Sequence, residues 1–275
     1  MKEKTVLVIG AGGAVGMEIV RALRARGCAV MGAYRTPREG VAQALNEAGA
    51  QAIRLDLNDG PGLREALDKA QAAIFTPILT VSASAAPLLR ADQPAVFFSS
   101  NNVAIDQQAE VYVKLSEAEK AVRVAAPGAI ILRPTMIYGY PGDGNLSRLI
   151  AAMRNFPAIP IPAANRARQQ PVFYKDLAEI AAAAIFNESM RGQTRAVAGP
   201  EDTSIRRLYE LASDAAGVKT LLAPVPTGFF ATLLGALEKA GLKLPVSAAQ
   251  LARAGRDKIP EGPALLGQTP LAHGL

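Results

Sequence analysis

Gly10-Ala11-Gly12-Gly13-Ala14-Val15-Gly16 joins a continuous apolar run, Thr5–Gly10 (TVLVIG), to a stretch with helical spacing, Met17–Arg26. An unbroken apolar run of this length suits a strand buried on both faces. The stretch after it places Ile19, Val20 and Leu23 on one face and arginines at 21, 24 and 26 on the other, and Gly27 closes it. Glycines between a strand and a helix have a chemical use. The chain must turn tightly, its backbone must approach a ligand with no Cβ in the way, and the helix must pack close to the sheet. The free N–H groups of the helix start, helped by the positive end of its dipole, then hold phosphates. Gly10, Gly13, Ala14, Val15 and Gly16 are therefore candidate contacts to the pyrophosphate of a dinucleotide, with a purely structural turn as the alternative.

Outward from this turn the alternation continues. Strands are expected at Ala29–Tyr34, Ala52–Leu55, Ala72–Phe75, Ala95–Ser99 (AVFFS) and Ala129–Arg133 (AIILR). Helices are expected at Gly40–Ala48, Gly62–Lys69, Val81–Leu89 and Val111–Val124. Strands alternating with helices at this spacing predict an α/β fold, a Rossmann-type doubly wound parallel sheet with right-handed crossovers. After Pro134 the pattern loosens. Helices are expected at Leu146–Asn155, Asp176–Phe186 and Ser204–Ala216, the last capped by Ser204, with a strand at Thr194–Ala198. The domain reading is a dinucleotide-binding domain over 1–138 with parts of 172–200, a small C-terminal substrate lobe from 139–171 and 200–260, and a loose tail at 261–275.

Composition narrows the chemistry. The 275 residues are 50% hydrophobic and 20% charged, enough for a sizeable core and against whole-chain disorder. One cysteine, Cys28, excludes an internal disulfide framework and a cysteine-based zinc site, and reads as a small buried hydrophobe. One histidine, His273, makes histidine charge relays and His-rich metal sites improbable, so no metal is expected. The net charge of +6 is spread out: 15 basic against 13 acidic residues in 1–135, and 15 against 11 in 136–275. With no block of like charge, no tryptophan and 5% aromatics, nucleic acid is not an expected partner. The uncharged stretches 70–89 and 220–237 are interrupted by polar residues and prolines, so they read as buried structure and not as membrane spans. Met-Lys-Glu-Lys runs directly into the first strand and leaves no room for a signal peptide, so a cytoplasmic location is expected.

The end of the second strand selects the nucleotide. A site for NAD usually carries a carboxylate about 20 residues beyond the glycines to accept from the ribose hydroxyls. Here the segment is Ala33-Tyr34-Arg35-Thr36-Pro37-Arg38, with no carboxylate. Arg35 can make a forked, charge-assisted contact with a 2′-phosphate, and Arg38 can assist, so NADP is favoured over NAD. Asp56, followed by Leu57, accepts from the adenine amino group or simply caps a turn with Asn58 and Asp59. Thr76 and Pro77 after the fourth strand are candidates beside the cofactor ribose. Ser99 at the fifth strand's end, and Pro134 and Ile137 around the turn after the sixth, complete the cofactor set.

Together these pieces resemble the short-chain dehydrogenase/reductase superfamily, in its extended and atypical branches of NAD(P)-dependent epimerase/dehydratase-like and NmrA-like proteins. The resemblance runs over roughly residues 4–215. It is carried by the glycine spacing, the Asp56 segment, Phe98-Ser99-Ser100, Tyr112, Leu132-Arg133-Pro134 leading to Ile137-Tyr138-Gly139, Gly142-Asp143-Gly144, and Pro171-Val172 with Asp176-Leu177-Ala178. It implies that Tyr112 passes a proton to or from the reacting oxygen and that Ser100 orients that oxygen. It also implies a lysine four residues after the tyrosine, where this chain has Ser116. Lys114 falls on nearly the opposite side of a helix and Lys120 lies about two turns away. Three readings stay open: a slow or altered reductase, a protein that binds NADP(H) without chemistry, or a Tyr112 that is only a helix residue.

Tyr138, Asn145 and Arg148 are candidates to line a substrate pocket, and Arg166 and Arg168 to meet an anionic substrate, each against a packing or surface alternative. The leading expectation is an NADP-dependent oxidoreductase or epimerase-like enzyme for a small carbonyl or hydroxyl compound. The rival is a non-catalytic sensor or an accessory subunit of the kind associated with respiratory complex I, for which the apolar segment 221–237 could serve as a docking surface. A homodimer is compatible with the chain, whose sequence does not determine an oligomeric state.

Overall fold

The computed structural model describes residues 4–162, 167–226 and 257–275. In chain order these form β1 (Thr5–Ile9), α1 (Ala14–Ala25), β2 (Ala29–Tyr34), α2 (Val41–Glu47), β3 (Gln51–Arg54), α3 (Gly60–Lys69), β4 (Ala72–Ile78), α4 (Leu79–Ser82), β5 (Ala95–Phe98), α5 (Asn102–Ile105), α6 (Glu110–Ala125) and β6 (Ile130–Pro134). Then follow β7 (Ile137–Tyr138), α7 (Leu146–Asn155), β8 (Ala158–Pro162), β9 (Arg168–Gln169), β10 (Val172–Phe173), α8 (Tyr174–Ala184), β11 (Thr194–Ala198), β12 (Thr203–Ser204), α9 (Ile205–Ala216), β13 (Leu221–Val225) and β14 (Ala264–Leu266). The chain divides into two compact units. The first holds residues 1–134, 174–197 and 260–267, and the second holds 135–173, 198–259 and 268–275.

The first unit is built on an eight-stranded sheet in the order β14-β11-β6-β5-β4-β1-β2-β3. β1 pairs in parallel with β2 on one side and β4 on the other, so the strand order reverses at β1. In doubly wound sheets the crevice that binds ligands lies at such a reversal, beyond the C-terminal strand ends, which here are those of β1 and β4. The apolar runs explain the sheet. Val6, Leu7 and Val8 are fully buried, as are Ala73, Ile74 and Phe75 on β4 and Val96 and Phe97 on β5. Each large aliphatic side chain removed from water contributes roughly 1.5–3 kcal/mol. Phe75 and Phe97 stack with centroids 4.4 Å apart between neighbouring strands. Cys28 is buried, as its position just before β2 suggested.

The second unit pairs β8 with β13 in parallel and packs α7 on α9. Met153, Ala212 and Ala216 form one small core there, and Tyr138, Leu146, Leu208 and Leu271 form another. Ser204 caps α9 as its sequence position implied, its hydroxyl accepting from the Arg207 amide at 3.1 Å.

Two expectations need correction. Val81–Leu89 is not one helix: a single turn, α4, gives way to a 3₁₀ segment over Ala83–Leu88. Pro87 inside that segment supplies no backbone donor and crowds the preceding turn, which α-helical pairing does not tolerate. Residues 261–275 are not a loose tail. β14 lies at the edge of the large sheet, and Leu271 is 3% exposed, with its amide donating to Glu201. The apolar side chains among these prolines and glycines find partners only through long-range packing, which local spacing does not reveal. Of the apolar stretch 220–237, Leu221–Val225 is a strand paired to β8, and the rest lies outside the described residues.

Candidate functional site

The glycine turn sits at the reversal of strand order. Gly10 adopts φ +78°, and a Cβ there would lie 2.3 Å from Thr76 Oγ1. A Cβ on Gly16 would lie 2.3 Å from the Gly10 carbonyl oxygen, so only glycine lets α1 start this close to the turn. Thr76, on β4, donates its hydroxyl to the carbonyls of Ile9 at 2.9 Å and Gly10 at 3.2 Å. The strand that borders the crevice thus clamps the turn. The Gly13 amide is used internally, donating to Gly10 O at 3.1 Å, and Gly13 is the N-cap of α1.

Ala14, Val15 and Gly16 form the first turn of α1, where amides have no acceptor within the helix. No side chain caps them and no acidic residue stands in that turn, while Gly13 is exposed and Ala14 and Val15 are half-buried. An uncapped, acid-free helix start, held against the sheet by two glycines that have no room for a Cβ, is matched to an anion. A pyrophosphate therefore fits the residues present.

Around it, Arg35 and Arg38 are exposed just past β2. Asp56 is half-buried, and its Oδ1 accepts from the Asn58 amide at 2.9 Å, so it does cap a turn, with Leu57 beside it half-buried. Pro77 is half-buried next to Thr76. Ser99 is buried, its hydroxyl donating to Glu119 Oε1 at 2.6 Å and its amide to Leu132 O at 2.8 Å. The buried Pro134 accepts from the Asn101 amide at 3.0 Å. Asn101 is 4% exposed, and its Nδ2 has no hydrogen-bond partner among the described residues.

The sequence-predicted reacting pair is brought together by a third residue. The Asn102 amide donates to Ser100 Oγ at 3.3 Å, and its side-chain Nδ2 donates to Tyr112 Oη at 2.8 Å. Among the described residues no lysine takes part. Lys114 is exposed and ion-paired with Glu110 at 2.5 Å, and Lys120 is exposed. The hydrogen bond and then the charge of Lys114 hold the Glu110 carboxyl below the usual range, and the same contact raises Lys114. Ser116, where a lysine was implied, is half-buried.

Behind this site lies a buried network that sequence reading missed. Glu119, 7% exposed, accepts from Arg133 Nε at 2.9 Å and Nη2 at 2.5 Å as well as from Ser99. The signal was present: the buried stripe of α6 is Leu115, Glu119 and Val122, and a carboxylate interrupts that apolar spacing. Asn102 gave no signal, because its contact with Tyr112 spans ten residues and depends on how α5 meets α6.

In the second unit the candidates serve the fold. Tyr138 is 1% exposed, inside a core, with its ring centroid 5.7 Å from that of Phe173. Ile137 is half-buried in β7. Asn145 donates through Nδ2 to Ile137 O at 3.2 Å, and Asp143 organises the loop by accepting from the amides of Asn145 and Ser147. Arg148 is exposed, Arg168 is ion-paired with Asp202, and Arg166 lies outside the described residues. Among the described residues no cluster of His, Cys, Asp or Glu could hold a metal, and no helix is long and apolar enough to cross a membrane.

Residues 2–86 match the NmrA-like family. The NmrA-like match begins just before β1 and ends within the 3₁₀ segment after α4, so it takes in the glycine turn, Arg35, Asp56 and Thr76. No curated protein sequence matches the chain. Among solved structures, the chain is similar to triphenylmethane reductase of Citrobacter sp. complexed with NADP(H), at TM-score 0.73 and 17% identity over 98% of both chains. It is similar to the NADPH-dependent quinone oxidoreductase QOR2 of Escherichia coli, at TM-score 0.66 and 19% identity over 91% of this chain and 87% of that one. It is also similar to the epimerase Mth375 of Methanothermobacter thermautotrophicus, at TM-score 0.64 and 13% identity over 82% and 80%. These likenesses establish the fold: a mostly parallel, Rossmann-like α/β sheet flanked by helices, shared with these three proteins.

Proposed function

We propose that this protein is an NADP(H)-dependent oxidoreductase or epimerase-like enzyme acting on a small carbonyl or hydroxyl compound. The observation that carries this reading is the uncapped start of α1 at the sheet's reversal point, behind glycines that leave no room for a Cβ. Solved NADP(H) and NADP+ complexes among the structural neighbours support the choice of cofactor. The amides of Ala14, Val15 and Gly16 would hold the pyrophosphate, Arg35 the 2′-phosphate with help from Arg38, and Leu57 and the Asp56 turn would flank the adenine. Thr76 and Pro77 would stand beside the ribose, and Ser99 and Pro134 would border the nicotinamide. The bound dinucleotide would supply or accept the hydride. Ser100 would orient the substrate oxygen and Tyr112 would hold the proton that it exchanges.

Fluorescence titration with NADPH and NADH tests the cofactor. Arg35→Ala is expected to weaken NADPH by about 10- to 100-fold, the worth of a hydrogen-bonded charge contact of roughly 1.5–3 kcal/mol, and to leave NADH within about 3-fold. If neither dinucleotide binds below the millimolar range, the reading fails. NADPH consumption with benzaldehyde, diacetyl and menadione then tests for turnover. A second reading, dinucleotide binding without chemistry, is favoured by one observation: both nearby lysines face away, Lys114 into its Glu110 pair and Lys120 into solvent. Tyr112→Phe separates the two. It abolishes turnover and spares NADPH affinity in an enzyme, and changes nothing in a sensor.

A further inference from the structure

We infer that Asn102 is the positioning residue that replaces the missing cation at Tyr112, and that it sets the site for donating a proton to a carbonyl oxygen. This rests on the enzymatic reading above. Tyr112 lies in the first turn of α6 and Asn102 opens α5, directly after the Ser99-Ser100-Asn101 end of β5. The hydrogen bond at the Tyr112 hydroxyl comes from Asn102 Nδ2 at 2.8 Å, and the backbone amide of the same residue reaches Ser100 Oγ at 3.3 Å. One residue therefore holds both members of the reacting pair, from its backbone and its side chain.

The direction of the bond matters. A side-chain amide N–H can only donate, so it occupies a lone pair of the phenol oxygen and leaves the phenol proton free to point elsewhere. An oxygen held in this way is arranged to give its proton away. In a reduction, a bound reduced nicotinamide would supply the hydride for the new C–H bond at the carbonyl carbon and would leave oxidised. The C=O π pair moves onto oxygen and takes the Tyr112 proton as the phenol O–H bond breaks. The pair left on the phenolate stays bonded to the Asn102 amide, a contact strengthened by the new charge, until water returns the proton.

An amide does this with a dipole and no net charge, so its help is smaller than an ammonium's. General acid catalysis contributes about 10²–10⁴-fold, and a neutral donor supplies only part of it. Asn102→Ala is therefore expected to lower kcat by about 10-fold with KM unchanged, and to have no further effect when Tyr112 is already Phe, since the two act as one unit. Asn102→Asp is expected to do worse than Ala, because a carboxylate accepts the phenol proton and repels the phenolate.

The experiment pairs these kinetics, with NADPH and the fastest acceptor of the carbonyl panel, with NMR of the cofactor-free protein. One Asn102 side-chain amide proton is expected downfield in the wild type, returning toward the free-amide position in Tyr112→Phe. An amide signal that does not respond to Tyr112→Phe overturns the inference, as does an Asn102→Ala kcat equal to wild type. A protein that binds NADPH but consumes it with none of the acceptors overturns the enzymatic reading, and this inference with it. Wild-type turnover that is indifferent to Asn102 overturns this inference alone.

Discussion

Gly16→Ala should lower NADPH affinity by about 10²–10⁴-fold and destabilise the protein by roughly 1–3 kcal/mol. The added methyl carbon would meet the Gly10 carbonyl oxygen at 2.3 Å, Ala11 Cα at 2.8 Å and the Gly10 carbonyl carbon at 2.9 Å. All three are backbone atoms, so no rotamer change relieves the contact. Either the first turn of α1 moves off the glycine turn or the turn opens, and both misplace the amides of Ala14, Val15 and Gly16. An amide must come within about 2.7–3.2 Å of a phosphate oxygen to bond it. Losing two such charge-assisted bonds, at roughly 1.5–3 kcal/mol each, gives the stated range. Gly13→Ala is the control, because its Cβ would stand 3.5 Å from the Gly10 oxygen, an ordinary contact. Urea unfolding should leave Gly13→Ala within about 0.5 kcal/mol of wild type. A Gly16→Ala protein that binds NADPH as the wild type does would show that the turn does not hold the pyrophosphate.

Removing the carboxylate of Glu119 should cost about 3–5 kcal/mol in urea unfolding, the largest stability effect expected from any single charged residue among those described. Glu119 is 7% exposed and accepts three hydrogen bonds, two from Arg133 and one from Ser99. Glu119→Ala would leave a guanidinium three-quarters shielded from water with no counter-charge and a buried hydroxyl with no acceptor. The desolvation that the pair overcame then stands unopposed. Replacing both partners by leucine should cost less than Glu119→Ala alone, since an apolar pair carries no such penalty. Exposed pairs such as Lys69 with Glu65 are the comparison and should contribute little, because water screens them. If Glu119→Ala proves no more harmful than Glu110→Ala, the network is not holding α6 to β5 and β6.

The strands of the large sheet other than β14 were legible because their apolar runs have no other use: Thr5–Ile9 and Ala95–Phe98 are long enough to cross a sheet and too short for helices. Thr194–Ala198 and Leu146–Asn155 fall where their sequence pattern put them. The candidate site was legible where it depends on local backbone, as at the glycine turn. It was not legible where it depends on a meeting of distant side chains. Tyr138 sits in a motif that resembles a pocket edge and is a core ring, because Leu208 and Leu271, far along the chain, close over it.

The sequence by itself determined the phosphate turn and the alternation of strand and helix, because glycine conformations and the burial of apolar runs act within a few residues of the chain. Only the tertiary structure decided which group stands beside Tyr112, that Glu119 is buried with Arg133 across fourteen residues, and that the last residues supply a sheet edge. Those outcomes depend on directed hydrogen bonds and close packing between segments far apart in sequence, whose strength is set by distance in space.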